Sequence, residues 1–488
     1  MMGDGSSPPT ANPLGTGVEG FDDILNGGLP AGHVYMVSGA PGTGKTTLGL
    51  QFLLAGRAAG SSRGMLYLTL SQTAEELRGV ARSHGFDLSG INIVDLLADE
   101  IRDIGNAQSV LHSSEEELAG LITAIETAVA THDPERIVID GLSEIRLVSS
   151  SLLRFRRSLL GLKVRLSERE TTVMMIDGFD DEDMTKTAEL IAHGAIRMDW
   201  QAPDYGVAHR RVQVIKMRGA AFVEGFHDMR IATGGLEVSP RLVPPSQPVD
   251  IDDWELRSGV EALDDLCGGG LPGNGTTLIS GSTGAGKSIL CTIYARQTAL
   301  RGHRASVFLF EEMQEDFVKR SRSLNMGLDE PEIAERCKLV HIDPAELSPG
   351  EVFDRIVHEV EAGTRLVILD SLTGFFHALP EGRGMLVQFN AILNYLKRQK
   401  VAVLMTRNIS GTGPEEASTM DLDVSFVADN LIRMRQIQTG GQIERVISVA
   451  KKRYGAHSRE VRRMRIEAGG VTLEAYAGDP PAMTRGDG

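Results

Sequence analysis

Two glycine-rich octapeptides carry the residue types needed to hold a polyphosphate: Gly39-Ala40-Pro41-Gly42-Thr43-Gly44-Lys45-Thr46 and Gly281-Ser282-Thr283-Gly284-Ala285-Gly286-Lys287-Ser288. Both satisfy G-x-x-x-x-G-K-[ST], follow a strand-like apolar run and open a helix-like one, which is the context this motif requires. Glycines let successive backbone N–H groups point inward and let phosphate approach without a Cβ clash. The helix N-terminus adds a partial positive charge. The expected ATP contacts are Gly42, Thr43, Gly44, Lys45, Thr46 and Thr47 in the first loop. In the second they are Gly284, Ala285, Gly286, Lys287, Ser288 and Ile289. Lys45 and Lys287 reach the β- and γ-phosphates, and the hydroxyls of Thr46 and Ser288 face Mg²⁺. Each half also holds an apolar run ending in aspartate, Ile137-Val138-Ile139-Asp140 and Val367-Ile368-Leu369-Asp370. Such a carboxylate can hold a magnesium-bound water beside the loop hydroxyl, so ATP and Mg²⁺ are the expected cofactors.

The two sites differ in their acids. The second half has Leu309-Phe310-Glu311-Glu312 where the first has Leu68-Thr69-Leu70-Ser71-Gln72. A carboxylate near a γ-phosphate can orient and deprotonate an attacking water or hydroxyl, which makes Glu311, Glu312 and Lys287 the catalytic set. Ser71 is no general base, and Gln72 can position a water without accepting its proton. Glu75, Glu76 and Glu144 read as a solvated helix face or structural ion pairs. The expectation is that the first site binds ATP chiefly for assembly while the second performs chemistry.

These groups sit in a chain that repeats itself. GTGVEGFDDILNGGLPAGHVYMVSGAPGTGKTT is echoed by RSGVEALDDLCGGGLPGNGTTLISGSTGAGKSI, and Lys45 and Lys287 lie 242 residues apart. A length of 488 residues suits two domains. The proline-bearing stretch RLVPPSQPVDIDD marks the link between them. The expected organisation is a flexible segment 1–13, a domain 14–245, a linker 246–253, a domain 254–475 and a tail 476–488. Within each half, nearly all-apolar runs such as HVYMVSG, MLYLTL, TTLISG and RLVILD alternate with helix-compatible segments. That pattern predicts an α/β fold, each half a mostly parallel sheet flanked by helices, with reactive groups at the carboxyl ends of the strands. No stretch is long and apolar enough to span a bilayer, and the amino terminus lacks a hydrophobic signal core. Three scattered cysteines, Cys267, Cys291 and Cys337, suit a reducing cytosol, so a cytoplasmic location is expected. The formal charge of −16 weighs against nucleic acid and anionic membranes as partners.

The duplicated loops, Glu311-Glu312, and the late strands bearing Lys216-Met217-Arg218-Gly219 and Lys451-Lys452-Arg453 resemble the KaiC family of circadian clock ATPases and autokinases. The likeness runs from about Gly15 to Leu473. It implies tandem RecA-like domains stacked as two six-membered rings, with ATP and Mg²⁺ between neighbouring subunits of a homohexamer. On that resemblance Lys216 and Arg218 would reach the first-ring nucleotide of the adjacent subunit, and Lys451 and Arg453 the second-ring nucleotide. The family's Ser-Thr phosphoacceptor pair aligns with Ser425 and Phe426, so Ser425 stands as a single candidate acceptor and two-site cycling is lost; Ser418 and Thr419 are weaker candidates. The long carboxyl tail that docks the activator KaiA is nearly absent, so a KaiA-type partner is not expected. A KaiB-like or signalling partner is left open.

Two other classes compete. A RecA- or RadA-like recombination ATPase needs a basic flexible pore loop, for which residues 149–165 and 375–390 are the candidates. A nucleotide-dependent assembly scaffold needs no base, and Glu311-Glu312 argues against it.

Overall fold

The computed structural model describes residues 13–96, 114–178, 182–202, 207–242, 254–343, 346–377, 383–409, 426–439, 441–468 and 470–476. Backbone contacts group the chain into two compact units, Met1–Arg241 and Leu242–Gly488. The expected segments 1–13, 246–253 and 476–488 lie outside the described residues, Pro13 and Tyr476 apart.

In the first unit the apolar runs form β1 (Val34–Ser38), β2 (Gly64–Thr69), β3 (Ile91–Asp95), β4 (Pro134–Asp140) and β5 (Thr172–Asp177). They continue into β6 (Gly194–Gln201), β7 (His209–Met217), β8 (Phe226–Ala232) and β9 (Gly235–Ser239). The sheet order is β3-β2-β4-β5-β1-β6-β7-β8-β9. The ladders from β3 to β6 are parallel and the last three strands are antiparallel. Strand alternation explains the apolar runs. Tyr35 and Val37 pack into the cluster under the helix Lys45–Ala58, whereas Val34 and Met36 pack into the cluster on the opposite face. Each fully buried aliphatic or phenyl side chain of this kind contributes roughly 1.5–3 kcal/mol.

The second unit repeats the plan. A short pair, β10 (Glu255–Leu256) and β11 (Leu271–Pro272), precedes β12 (Thr276–Gly281), β13 (Arg304–Leu309), β14 (Cys337–His341), β15 (Thr364–Asp370) and β16 (Ala402–Asn408). The strands β17 (Asn430–Thr439), β18 (Gln442–Lys452), β19 (Arg462–Glu467) and β20 (Gly470–Ala475) complete an order β14-β13-β15-β16-β12-β17-β18-β19-β20. Each unit is thus a RecA-like α/β domain, a mostly parallel sheet with helices on both faces.

β1 and β12 are central, so the loops leaving them sit where neighbouring strands end. That is where an open parallel sheet leaves a crevice. The three cysteines are buried. No described helix is long and apolar enough to cross a membrane. The first segment considered as a flexible pore loop folds largely as the helix Leu152–Ser167, and the described parts of the second lie in helices Leu372–His377 and Arg383–Arg398.

Candidate nucleotide sites

Both phosphate loops adopt one conformation. Gly42 and Gly44 have φ of 82° and 99°, and Gly284 and Gly286 have 79° and 103°, a region that side chains disfavour. The second glycine of each pair caps a helix that begins at the lysine. Lys45 Nζ folds back to donate to the carbonyls of Gly39 (2.6 Å) and Ala40 (2.8 Å). Lys287 Nζ does the same to Gly281 and Ser282, both at 2.8 Å. Burial lowers the pKa of both lysines, opposed by Asp140 and Asp177 at the first and by Asp370 and Glu311 at the second. Each ammonium is therefore a partly desolvated cation ringed by acids, able to exchange carbonyl partners for phosphate oxygens.

The strand-end aspartates lie beside these loops with different supports. Asp140 Oδ2 accepts from Thr46 Oγ1 at 3.2 Å and from the Tyr67 hydroxyl at 2.5 Å; burial raises its pKa. Asp370 Oδ1 accepts from Thr406 Oγ1 at 2.5 Å, and its buried Oδ2 has no hydrogen-bond partner among the described residues. A loop hydroxyl against Asp140, and an unpartnered oxygen on Asp370, are the donors that Mg²⁺ takes alongside phosphates and water. Among the described residues no group of three His, Cys, Asp or Glu could hold a metal.

The adjacent acids of the second half separate. Glu311 Oε1 accepts from Ser371 Oγ at 2.8 Å, and its charge acts on Lys287. Glu312 instead meets Arg320, whose Nη1 lies 2.5 and 2.6 Å from its two oxygens. In the first half Ser71 packs against Gly141, where a Cβ would lie 3.0 Å from its own. Gln72 is held in a local turn by Thr69. Glu76 closes a capping box with Thr73, Glu75 pairs with Arg78 and Arg82, and Glu144 lies in the first turn of the helix Leu142–Leu147.

Two features escaped the sequence reading. Arg210 and Arg445 donate through Nε to Gly42 O and Gly284 O, each at 3.1 Å, so each loop has an arginine above it. Asp177, at the end of β5, is a further acid acting on Lys45, and the register gives its place in the second unit to Arg407. Its carboxylate accepts from the backbone N–H groups of Ser143 and Gly178. Burial pushes its pKa up to about 6. The folded chain therefore keeps this proton to higher pH than the unfolded chain. The cost of ionising Asp177 enters as pH rises from about 4 through 6 and is complete above that. Asp177→Asn is expected to stabilise the nucleotide-free first unit by about 2–3 kcal/mol at pH 8 relative to its effect at pH 4. Thermal melts across that range check it, and a pH-independent difference between variant and wild type contradicts it.

The basic residues of the late strands lie far from their own loops. β7 runs antiparallel to β6, so Arg210 at its start sits by Gly42, whereas Lys216 lies six residues on, about 20 Å along an extended chain. Lys216 Nζ and Arg218 Nη2 donate to Leu190 O at 3.3 and 3.0 Å. Lys163 adds its charge there, and burial, followed by His33 and the charges of Arg218 and Lys163, pushes the His193 pKa down to about 4. In the second unit Lys451 Nζ donates to Ala428 O at 2.8 Å, and Arg453 meets the buried Asp429 at 3.2 Å, as does Lys397. Ser418, Thr419 and Ser425 lie outside the described residues.

A family model described as "ATPase: KaiC" matches residues 14–243 and again 256–476. Among similar proteins, "Circadian clock protein KaiC2" of Synechocystis sp. is 26% identical over 492 residues, covering 96% of this chain and 83% of that protein. "Circadian clock oscillator protein KaiC" of Synechococcus elongatus is 26% identical over 480 residues, covering 94% and 88%. The protein of that name from Prochlorococcus marinus is 27% identical over 484 residues, covering 94% and 92%.

Proposed function

The chain belongs to the KaiC family of ATPases, and from that premise we propose that it is a two-tiered homohexameric regulatory ATPase whose second site performs the chemistry. Both loops bind ATP. The first site serves assembly, because Ser71 and Gln72 supply no base; the second hydrolyses, because Glu311 stands by Lys287 and Ser371. The observation that carries the reading is this unequal endowment of two otherwise matching loops.

At the second site Lys287 holds β- and γ-phosphate oxygens, and the N-terminus of its helix adds positive potential. Ser371 donates to Glu311 and so aims the other carboxylate oxygen away from itself. Glu311 takes a proton from the attacking water as the new O–P bond forms and the bond to ADP breaks. Ser288 and Asp370 would hold Mg²⁺, which when bound would supply positive charge to the phosphates.

Assembly follows from the reach of the strands. A separation of about 20 Å from their own loop along an extended strand supports a role for these residues at a neighbour's nucleotide. Lys216 and Arg218 in one tier, and Lys451 and Arg453 in the other, act on the adjacent subunit's nucleotide. A head-to-tail contact of this kind gives a ring where its rotation closes, as the family resemblance implies. The Lys163-Lys216-Arg218 cluster supports this, since like charges gathered on one face favour an anionic partner. Ser425 is the single candidate acceptor for autophosphorylation. The names of the relatives make clock-type timing the regulatory context, and a KaiB-like or signalling partner rests on the family resemblance alone.

Sizing the protein with and without Mg-ATP tests the assembly. A particle of six times the 52.7 kDa chain in the presence of Mg-ATP is expected. A monomer under those conditions overturns the ring. Phosphopeptide mapping of the same sample tests the kinase, with label expected at Ser425; its absence there limits the chain to hydrolysis.

A further inference from the structure

Glu312 is the less obvious of the two second-site acids. Arg320 lies eight residues on, in the helix Gln314–Ser323, and its Nη1 lies within 2.6 Å of both Glu312 oxygens. The guanidinium is seated over the Phe317 ring, 4.7 Å from its centroid, and its Nη2 is buried without a hydrogen-bond partner among the described residues. Both charged side chains are less than a third exposed, at 29% and 27%.

The internal repeat supplies a comparison. Thr69 and Leu309 hold the same register position beside Asp140 and Asp370. Counting from there aligns Ser71 with Glu311, Gln72 with Glu312 and Val80 with Arg320 without a gap. The buried pairs Leu77/Phe317 and Ala81/Ser321 fall in step. The acid and the arginine are therefore present together in one half and replaced together, by neutral residues, in the other. The first half also lacks Glu311. The unit that carries a base carries the clamp.

We propose that Arg320 is a positioning residue of the second site, holding Glu312 so that Glu311 alone of the adjacent acids acts at the nucleotide. This deepens the reading of Glu311 as the base and rests on it. A lone carboxylate aligned by Ser371 can take the proton of the attacking water. A second carboxylate released beside it repels both the triphosphate and Glu311, and it competes for Ser371 and Lys287. A partly buried acid stripped of its cation is the costly case.

Steady-state phosphate release by the full chain with Mg-ATP, less the rate of Glu311→Gln, tests the clamp. Arg320→Met is expected to lower kcat about tenfold and raise KM for Mg-ATP several-fold. Arg320→Lys, which keeps the charge, is expected to lose less than half as much on a logarithmic scale. The decisive variant is Arg320→Met/Glu312→Gln, which removes the released anion. It is expected to return to within about threefold of Glu312→Gln alone, a reversal that lost packing would not produce. Thermal melts accompany each variant, and the double variant tests the clamp even where Arg320→Met folds poorly. Wild-type kinetics in Arg320→Met, or a double variant no faster than Arg320→Met, overturns the proposal. Full turnover in Glu311→Gln instead overturns the assignment of the base, and is read separately from the clamp.

Discussion

Replacing Glu311 by glutamine lowers phosphate release at least about 100-fold while leaving nucleotide binding and particle size unchanged. A positioned general base contributes roughly 10²–10⁴ in rate, and glutamine keeps the shape and the Ser371 contact while losing the proton acceptor. The carboxylate has a defined position: Oε1 accepts from Ser371 at 2.8 Å and its charge acts on Lys287. Among the described residues of the first unit Ser71 takes the place of Glu311 and faces Gly141, Glu75 and Glu76 are engaged on the helix surface, and Asp177, which acts on Lys45, is held by the backbone N–H groups of Ser143 and Gly178. The first site is therefore not expected to take over the lost turnover. Phosphate-release kinetics check the result; a rate within threefold of wild type removes Glu311 from the chemistry.

Arg453→Ala is expected to lower turnover about 10³-fold, the lower end of what a trans arginine supplies to phosphoryl transfer. Arg445, eight residues earlier and on β18, meets the chain's own loop at Gly284, and on the proposed assembly Arg453 acts on a different nucleotide. Asp429, buried among Thr276, Lys397 and Arg453, holds the guanidinium in place before any neighbour arrives. Mixing makes the effect specific. In rings of Arg453→Ala and Glu311→Gln chains, an interface is active when the first contributes Glu311 and the second Arg453, which restores roughly a quarter of wild-type turnover. Two inactive variants that stay inactive when co-assembled contradict the trans role.

How much was legible follows from where the information lies. The parallel half of each sheet is written in apolar runs, because strands covered on both faces have no reason to alternate. The antiparallel extensions were partly missed. β8, β9, β19 and β20 are short and half-exposed, and β6, the last parallel strand, mixes Arg197 and Asp199 into its apolar positions. The loops and Asp140 and Asp370 were legible because their chemistry is local in sequence. Their supports were not. Tyr67 sits inside an apolar run and only folding carries its hydroxyl to Asp140, while Thr406 on β16 serves Asp370. Asp177 ends an apolar run just as Asp140 does, so its signal is present in the sequence. The division between Glu311 and Glu312 depends on a strand-to-helix turn that delivers Arg320, which adjacency alone cannot encode.

The central claim is that two matching loops hold nucleotide in different chemical states, and the nucleotide recovered from the protein tests it most directly. After incubation with Mg-ATP, removal of free nucleotide and acid quenching, wild type is expected to yield ATP and ADP in about equal amounts, and Glu311→Gln almost only ATP. ADP from both loops of wild type, or an unchanged ratio in Glu311→Gln, would contradict the division between a site that binds and a site that reacts.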